Sequence, residues 1–396
     1  MVLSTFTDWT QVGRWKEALR RPCWQCTPDV RAVVDRVTAG LNTPAAKARA
    51  LTYWVRRNIR YVSAGERHDY TPHPPAQVLA NRFGDCKDTT QLLAVLLREA
   101  GVRVELATLG TRDDGQIHAD VPSPWGTHAI LLATIDGKPH WIDTTITLAA
   151  WDFLPRDDRD RLCYLTDEKG TLRLVRTPAA TADDSRTDAT TNVTVESDGR
   201  SRCRRTVISN GAAAMAQRDL YLETPPGERR RLLTGELQDA ISRTRLLALT
   251  IDEKALGDFD RPVTITSEFE IPGHFAGETE LEGNVTDSRV WGKLLAYTFD
   301  HDRQTPLELP SAFVSTHVYR FHAPATHQVD GPPRDRTLRS PWGTFSVRSR
   351  FVDDGEKGRS LELTFHDPAG PYPRRDRRSG GVPTFQDDVN RAIACG

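Results

Sequence analysis

The chain of 396 residues lacks the features that mark several classes of protein. It has no run of about 18 consecutive apolar residues, which argues against an ordinary membrane-spanning helix. Its first residues contain neither the basic segment nor the apolar segment of a signal peptide. We therefore expect a cytoplasmic protein, or a periplasmic or secreted one if the chain is a fragment of a longer precursor.

The chain also has almost no net charge and few cysteines. Lys and Arg total 53 against 54 for Asp and Glu, and no basic stripe stands out, which argues against nucleic acid as the main partner. Six cysteines in a chain of this length are too few for a disulfide framework. Cys23 and Cys26 form a lone CxxC without a second pair, so we interpret them as structural and predict neither a metal site nor a cofactor.

The first half of the chain shows helical patterns followed by strand patterns. Val30, Val33 and Val34 recur at helical spacing, Thr43-Pro44 is typical of a helix start, and a third helix is predicted from 84 to 101. Segments 102–107, 129–135 and 140–142 are predicted strands, and Asp136-Gly137 indicates a hairpin turn. This order predicts an α+β domain.

The second half is dominated by short β-type runs. The small, polar stretch 176–191 predicts a linker, and one helical insert is predicted at 227–247. We therefore divide the chain into an N-terminal extension (1–27), an α+β domain (28–175), a linker (176–191) and a β-rich, sandwich-like C-terminal domain (192–396).

The segment from Asn81 to Gly101 contains the most informative cysteine. Asp85 suits a helix N-cap, Asp88 three residues later resembles a capping box, and Gly101 suits the residue after the helix. Cys86 then lies in the first helical turn, where the helix dipole and free amides favour a thiolate, although Asp85 adds an opposing negative charge. The alternative is a cysteine that packs as a small apolar side chain.

A cysteine nucleophile needs a base within hydrogen-bonding reach. His128 lies at the start of the predicted strand 129–135. If Asp136-Gly137 forms a two-residue turn, Asp143 lies on the same face of the hairpin as His128 and diagonal to it. A turn one residue longer would place the two side chains on opposite faces.

Three other residues compete for these roles, namely His118, Asp120 and His140. His140 has the opposite strand parity from Asp143, and His118 lies in a predicted loop. We therefore favour Cys86 as the nucleophile, His128 as its base and Asp143 as the residue that orients the imidazole.

These motifs resemble a known family. The runs RFGDCKD (82–88), THAI (127–130) and WIDT (141–144) are similar to the bacterial branch of the transglutaminase-like superfamily, as are segments 8–15, 53–62 and 72–79. The resemblance covers about residues 8–165 and extends more weakly through the β-rich half. It implies a papain-like, transglutaminase-like core in which Cys86, His128 and Asp143 form a catalytic triad.

The resemblance also implies an activity. The chain would be a cysteine-dependent amide or peptide hydrolase, or an acyltransferase, that acts on a peptide or protein substrate. The reaction would pass through a thioester and need no cofactor. The triad allows either water or an amine as the acceptor, and we expect hydrolysis. The alternative is a catalytically silent binding or assembly module.

Family members usually begin with another β-rich domain and often an export signal. The tryptophan that stabilises the oxyanion in animal transglutaminases has no clear counterpart, since Trp54 is assigned to the core, and no segment resembles a calcium site.

Overall fold

The computed structural model describes residues 3–63, 70–276, 282–283, 312–324, 326–327, 335–340, 343–353 and 359–369. The chain divides into two compact units, residues 1–180 and 181–396. Both helices and strands are abundant, so the predicted α+β class is confirmed. Cys395 and the predicted C-terminal domain beyond residue 369 lie outside the described residues.

The first unit combines helices with an antiparallel sheet. Its helices are α1 (Trp9–Arg20), α2 (Pro28–Thr38), α3 (Pro44–Asn58), α4 (Pro75–Asn81) and α5 (Cys86–Glu99). Its strands are β1 (Arg60–Tyr61), β2 (Phe83–Gly84), β3 (Arg103–Leu109), β4 (His128–Ile135), β5 (Lys138–Ile142), β6 (Leu162–Thr166) and β7 (Leu172–Arg176). The five-stranded sheet has the order β5-β4-β3-β6-β7, and β1 and β2 form a separate parallel pair.

The helix starts follow the predicted caps. The Thr43 side chain accepts a hydrogen bond from the Ala46 amide at 3.1 Å, with Pro44 in the first helical position of α3. At the head of α5 the predicted capping box between Asp85 and Asp88 is present in both directions, so that prediction is confirmed.

The β4–β5 hairpin has the predicted register. Asp136 and Gly137 both adopt positive φ (51° and 74°), which is the backbone of a two-residue type I′ turn. Ile135 pairs with Lys138 as a result, and the ladder continues to Ile142. His128 therefore begins β4, and Asp143 follows the last residue of β5.

The core of the first unit lies on both faces of the sheet. On one face α2, α3 and α5 contribute most of the apolar side chains, and α5 is the central helix, since residues 92–97 are all fully buried. Burial of each leucine there stabilises the fold by about 1.5–3 kcal/mol. On the other face a second cluster includes Ile130, Trp141, Leu154 and Leu165. The site described below therefore lies on a rigid helix and a rigid hairpin.

Residues 1–27 are predicted as an extension, but they contain α1, which packs against β6 and β7. Lys16 and Arg20 on α1 are 4% and 5% exposed, and Arg20 donates a hydrogen bond to the Thr166 hydroxyl at 2.7 Å. The helix is therefore an integral part of the first unit.

The second unit is built around a large sheet. Its helices are α6 (Gly211–Glu223), α7 (Pro226–Ala240) and α8 (Glu253–Gly257). Its strands are β8 (Ser185–Val195), β9 (Ser201–Asn210), β10 (Arg245–Ile251), β11 (Val263–Ile271), β12 (Phe275–Ala276), β13 (Glu282–Gly283), β14 (Phe313–His322), β15 (Arg336–Ser340), β16 (Gly343–Asp353) and β17 (Arg359–Ala369). Eight of them form one sheet in the order β10-β11-β9-β8-β14-β17-β16-β15.

Two predictions for this half need correction, and a third is not confirmed. The predicted linker 176–191 is wrong over 185–191, because these residues belong to β8, where threonines favour a strand and Ala189 and Thr191 are buried. The predicted insert 227–247 ends at residue 240, and 245–251 form β10. The sandwich is not confirmed, since the long strands of the described residues belong to a single sheet.

No helix within the described ranges combines the length and the apolar character that crossing a bilayer requires.

Candidate active site

Cys86 is the first residue of α5 and is partly exposed. The Asp85 carboxylate accepts hydrogen bonds from the amides of Lys87 (3.1 Å) and Asp88 (3.2 Å), which fixes the first turn around the thiol. The Lys87 ammonium forms an ion pair with the same carboxylate. This pairing offsets the negative charge of Asp85, which would otherwise disfavour a thiolate on Cys86.

Asp88 fastens the neighbouring loop to the head of α5. Its carboxylate accepts the His73 amide at 2.8 Å and lies 3.0 Å from Nδ1 of His73. One residue earlier, the Pro72 carbonyl accepts a hydrogen bond from the thiol of the buried Cys23 at 3.1 Å. The loop that ends at α4 is therefore held against the N-terminal end of α5, the helix that carries Cys86.

The hairpin brings the other two predicted residues to the same place. Nε2 of His128 lies 3.3 Å from Oδ2 of Asp143, whose side chain is 2% exposed. The amide and hydroxyl of Thr145 donate to Oδ1 of Asp143 at 2.8 and 2.7 Å, which leaves Oδ2 for the imidazole. Cys86 lies within hydrogen-bonding reach of the His128 ring. The structure thus brings Cys86, His128 and Asp143 together, and their catalytic role stays a prediction.

A buried network of threonines joins α5 to the hairpin. The Thr144 hydroxyl lies 2.8 Å from that of Thr89 and 3.3 Å from that of Thr90. The Thr90 hydroxyl also donates to the Ala129 carbonyl at 3.0 Å. Because Ala129 and Thr144 adjoin His128 and Asp143, these bonds set the distance between thiol, imidazole and carboxylate.

Arg56 on α3 anchors the segment that follows β5. Its guanidinium is buried and donates to the backbone carbonyl of Asp143 (2.7 Å) and to the carbonyls of Ala149 and Trp151. These charge-assisted bonds hold the main chain at Asp143 in place. Neither Arg56 nor the threonine network was found from the sequence, because a single arginine or threonine in a helix carries no signal of its tertiary partner.

The electrostatics favour a charged imidazole. Burial alone would lower the pKa of His128, but the Asp143 carboxylate, the Cys86 side chain and Asp158 raise that pKa well above its usual value. Burial also acts to raise the pKa of Asp143, yet the charge of His128 and the hydrogen bonds from Thr145 lower it to about 2. An imidazolium beside a carboxylate could form an ion pair with a thiolate on Cys86, which is the active state of a cysteine nucleophile and its base.

Asp158 is a neighbour that the sequence did not indicate. It ends a short 3-10 helix (Arg156–Asp158), and its Oδ2 lies 3.7 Å from Nε2 of His128. The residue is 1% exposed, and Oδ2 has no hydrogen-bond partner within the described part of the chain. Burial, and then the charge of Asp143, raise the pKa of Asp158 to about 7, while His128 acts in the opposite direction.

One nitrogen of His128 and one oxygen each of Asp143 and Asp158 lie within 4.8 Å of one another. Nitrogen and carboxylate oxygen are possible metal ligands. A cation, however, would need the lone pair of Nε2, the nitrogen whose proton the Asp143 carboxylate is placed to accept. We therefore assign the cluster to hydrogen bonding and charge balance around the imidazole.

Lys16 on α1 is a second unpredicted residue close to Cys86. Its ammonium lies 4.5 Å from the ring centroid of Tyr70 and 5.8 Å from that of Tyr164. Burial lowers the pKa of Lys16 well below its usual value, as does Arg20, whereas negative charge on Cys86 raises it. The helix that the sequence placed outside the domain therefore contributes a buried amine to the surroundings of the thiol.

The competing residues lie elsewhere. Nδ1 of His140 contacts the Asp152 carboxylate at 3.0 Å, and the ring stacks on Trp151. His118 and Asp120 are exposed. Trp54 packs at the edge of the main core, as the sequence predicted.

The other described cysteines are less suited to be nucleophiles. Cys23, Cys163 and Cys203 are buried, and Cys26 is partly buried. Burial raises the pKa of Cys23 and Cys26, and it raises the pKa of Cys163 and Cys203 to about 12. A high pKa keeps a thiol protonated and unreactive at neutral pH.

Comparison with known proteins links the site to a family. Residues 31–145, which include Cys86, His128 and Asp143, match the transglutaminase-like superfamily. A solved structure described as a "putative protease" from Parabacteroides distasonis is similar, with a TM-score of 0.55 and 13% identity, over 98% of this chain and 56% of that chain. A "putative cysteine protease" from Cytophaga hutchinsonii has a TM-score of 0.25 and 21% identity over 32% of this chain and 39% of that chain. At these identities the first likeness shows the fold alone, and this chain spans just over half of that protein's length. No curated protein matches the chain at a significant level.

Proposed function

Residues 31–145 belong to the transglutaminase-like superfamily, and from this premise we propose that the chain is a cysteine-dependent enzyme that attacks the amide carbonyl of a peptide or protein. Cys86 is the nucleophile, His128 the general base and acid, and Asp143 the residue that orients the imidazole. The observation that carries the proposal is the contact of His128 with both the Cys86 side chain and the Asp143 carboxylate.

In the first half-reaction the thiolate of Cys86 attacks the substrate carbonyl carbon. The carbonyl π electrons move to oxygen, and the amide of Cys86 at the start of α5 is placed to stabilise the oxyanion. The imidazolium of His128 then donates its proton to the leaving nitrogen as the C–N bond breaks. An amine leaves, and the acyl group remains on sulfur as a thioester.

In the second half-reaction the neutral imidazole removes a proton from the acceptor. Water as acceptor releases a carboxylic acid, and a primary amine as acceptor forms a new amide; either route expels the Cys86 thiolate and restores the imidazolium. Asp143, held by Thr145, keeps Nε2–H of His128 in the required tautomer throughout. We propose hydrolysis as the main route, because water needs no dedicated binding cleft.

A peptide library tests the proposal. The full chain is incubated with a complex mixture of unstructured peptides and cadaverine, and mass spectrometry records new termini, deamidated glutamine and added amine. We expect products with the wild type that fall at least about 10³-fold with Cys86→Ala, because removing the nucleophile abolishes the acyl-enzyme route.

The control for the chemistry is Cys163→Ala, which removes a buried thiol distant in sequence and should leave product formation unchanged. Equal product formation by wild type and Cys86→Ala would contradict the proposed mechanism. A wild type that produces nothing beyond the Cys86→Ala background would instead favour the silent binding module.

A further inference from the structure

His128 faces two buried carboxyl groups, whereas the proposed reaction uses only one. Oδ2 of Asp143 lies 3.3 Å from Nε2 of His128, and Oδ2 of Asp158 lies 3.7 Å from the same nitrogen. Both aspartate side chains are 2% exposed. They come from different segments, one directly after β5 and the other from the 3-10 helix at 156–158. A single carboxylate is sufficient to orient an imidazole, so Asp158 requires a separate explanation.

The two carboxyl groups differ in their partners. Oδ1 of Asp143 accepts two hydrogen bonds from Thr145, whereas Oδ2 of Asp158 accepts none within the described residues. Burial of a carboxylate oxygen without a donor is unfavourable. Its backbone is nevertheless fixed, since the Asp158 amide donates to the Pro155 carbonyl and the Asp158 carbonyl accepts the Thr177 hydroxyl. The fold therefore holds an unsatisfied carboxyl oxygen against the imidazole.

Charge balance explains how this arrangement can persist. The charged groups that act on Asp158 are His128 on β4, Asp143 after β5 and Asp157 on its own turn, and Cys86 lies within reach of the same imidazole. Two carboxylates this close to each other do not both ionise readily, so the pair retains one proton in acidic solution. Burial and the Asp143 carboxylate raise the pKa of Asp158 to about 7.

We propose that Asp158 is a positioning residue that acts on the Cys86–His128 pair. In acidic solution the Asp158 carboxyl group holds a proton beside Asp143. In alkaline solution it is ionised, and its negative charge, added to that of Asp143, keeps the imidazolium of His128 protonated. The inference rests on the proposed function and extends it to the pH range of the enzyme. Asp158 thereby widens the range in which the thiolate and the imidazolium coexist.

The test is the rate at which iodoacetate alkylates Cys86 as a function of pH. The reagent is an anion, so a neighbouring imidazolium accelerates its reaction with the thiolate, and the rate at Cys86 falls when His128 loses its proton. The full chain is treated in buffers that contain EDTA, and peptide mass spectrometry follows Cys86 and Cys26 separately. We expect Asp158→Asn to shift the alkaline limb to lower pH by about 1 unit, because one carboxylate beside the imidazolium is lost, and to leave the acidic limb in place.

Asp157→Asn is the matched control. It removes the same charge one residue earlier, from a side chain that is 50% exposed and pairs with Arg156 at 3.1 Å. We expect its profile to match that of the wild type. A purely structural role of Asp158 would lower the rate at every pH without moving the alkaline limb.

A measurement on the unaltered chain covers the case in which Asp158→Asn fails to fold. The ¹³Cε1 resonance of His128, assigned by comparison with His128→Ala, should show an additional step near pH 7 before the imidazolium itself titrates. A single step would overturn the inference.

The outcomes also separate this inference from the proposed function. A bell-shaped profile that is identical in wild type and Asp158→Asn overturns the role of Asp158 alone. A wild-type profile at Cys86 that only rises with pH, as for Cys26, overturns the thiolate–imidazolium pair and the inference with it.

Discussion

At the scale of single residues, ionisable groups of both signs lie close together around Cys86. Lys87 pairs with the Asp85 carboxylate at the helix start, and α1 adds the buried amine of Lys16. On the other side the imidazole of His128 meets Asp143 and Asp158. In the proposed mechanism, a thiolate–imidazolium pair would form among these charged and titratable groups.

We expect the buried carboxyl group of Asp158 to make the free energy of unfolding depend on pH. Its folded-state pKa, raised from 3.8 to about 7, means that the folded state binds this proton more tightly than the unfolded state. The free energy of unfolding therefore falls as the pH rises from about 4 to 7. We expect Asp158→Asn to be more stable than the wild type at pH 8 by about 1–3 kcal/mol, and similar to it at pH 4.5.

Urea unfolding of both chains at the two pH values measures this difference. Asp157→Asn again serves as the control, because its side chain is half exposed. A difference in stability that is equal at both pH values, or a less stable Asp158→Asn at pH 8, would show that the carboxyl is not held protonated by the fold.

Some of these residues could be predicted from sequence and others could not. Cys86, His128 and Asp143 each lie at the end of an element whose local signals are strong, namely a capping box and a two-residue turn that fixes parity. Asp158 lies in a short 3-10 turn whose approach to β4 depends on the path of the whole loop after β5. No periodicity or cap records such a contact.

At the scale of elements, α1 decides where the first unit begins. The sequence predicts residues 1–27 as an extension, because the first clear helical repeat begins at Val30. In the structure α1 packs on β6 and β7 and buries Lys16 and Arg20. Half of its residues are polar or charged, and the tertiary contact shows that the helix belongs to the unit.

Two fragments test this assignment. We expect residues 1–180 to unfold cooperatively and to retain alkylation of Cys86, because the unit contains both of its apolar clusters. Residues 28–175 lack α1 and should lose cooperative unfolding, since Tyr164 and Thr166 lose their cover and Arg20 is absent. Circular dichroism with thermal melting compares the two.

Equal melting of the two fragments would show that α1 is dispensable. Failure of both to fold would show that the first unit depends on residues beyond 180. The first result would contradict the assignment of α1 to the first unit, and the second would contradict the division of the chain at residue 180.

At the scale of the whole molecule, the sequence predicted the first unit better than the second. The first unit has clear amphipathic helices and one hairpin of defined register, whereas α6 is rich in alanine and lacks an apolar stripe. The sheet of the second unit joins β8 to β14 in parallel, across more than a hundred residues of chain. Alternation along a strand shows which face is buried but not which distant strand is its neighbour, so a sandwich and a single sheet could not be distinguished.

The proposed function depends on one local relation, which is that the imidazole of His128 activates the sulfur of Cys86. The most direct test is the pH dependence of iodoacetamide alkylation at Cys86, with Cys26 in the same chain as the reference thiol. We expect Cys86 to be alkylated at pH values at which Cys26 does not react, and we expect His128→Ala to remove this advantage. Alkylation of Cys86 that follows Cys26 at every pH, and that is unchanged in His128→Ala, would contradict the account.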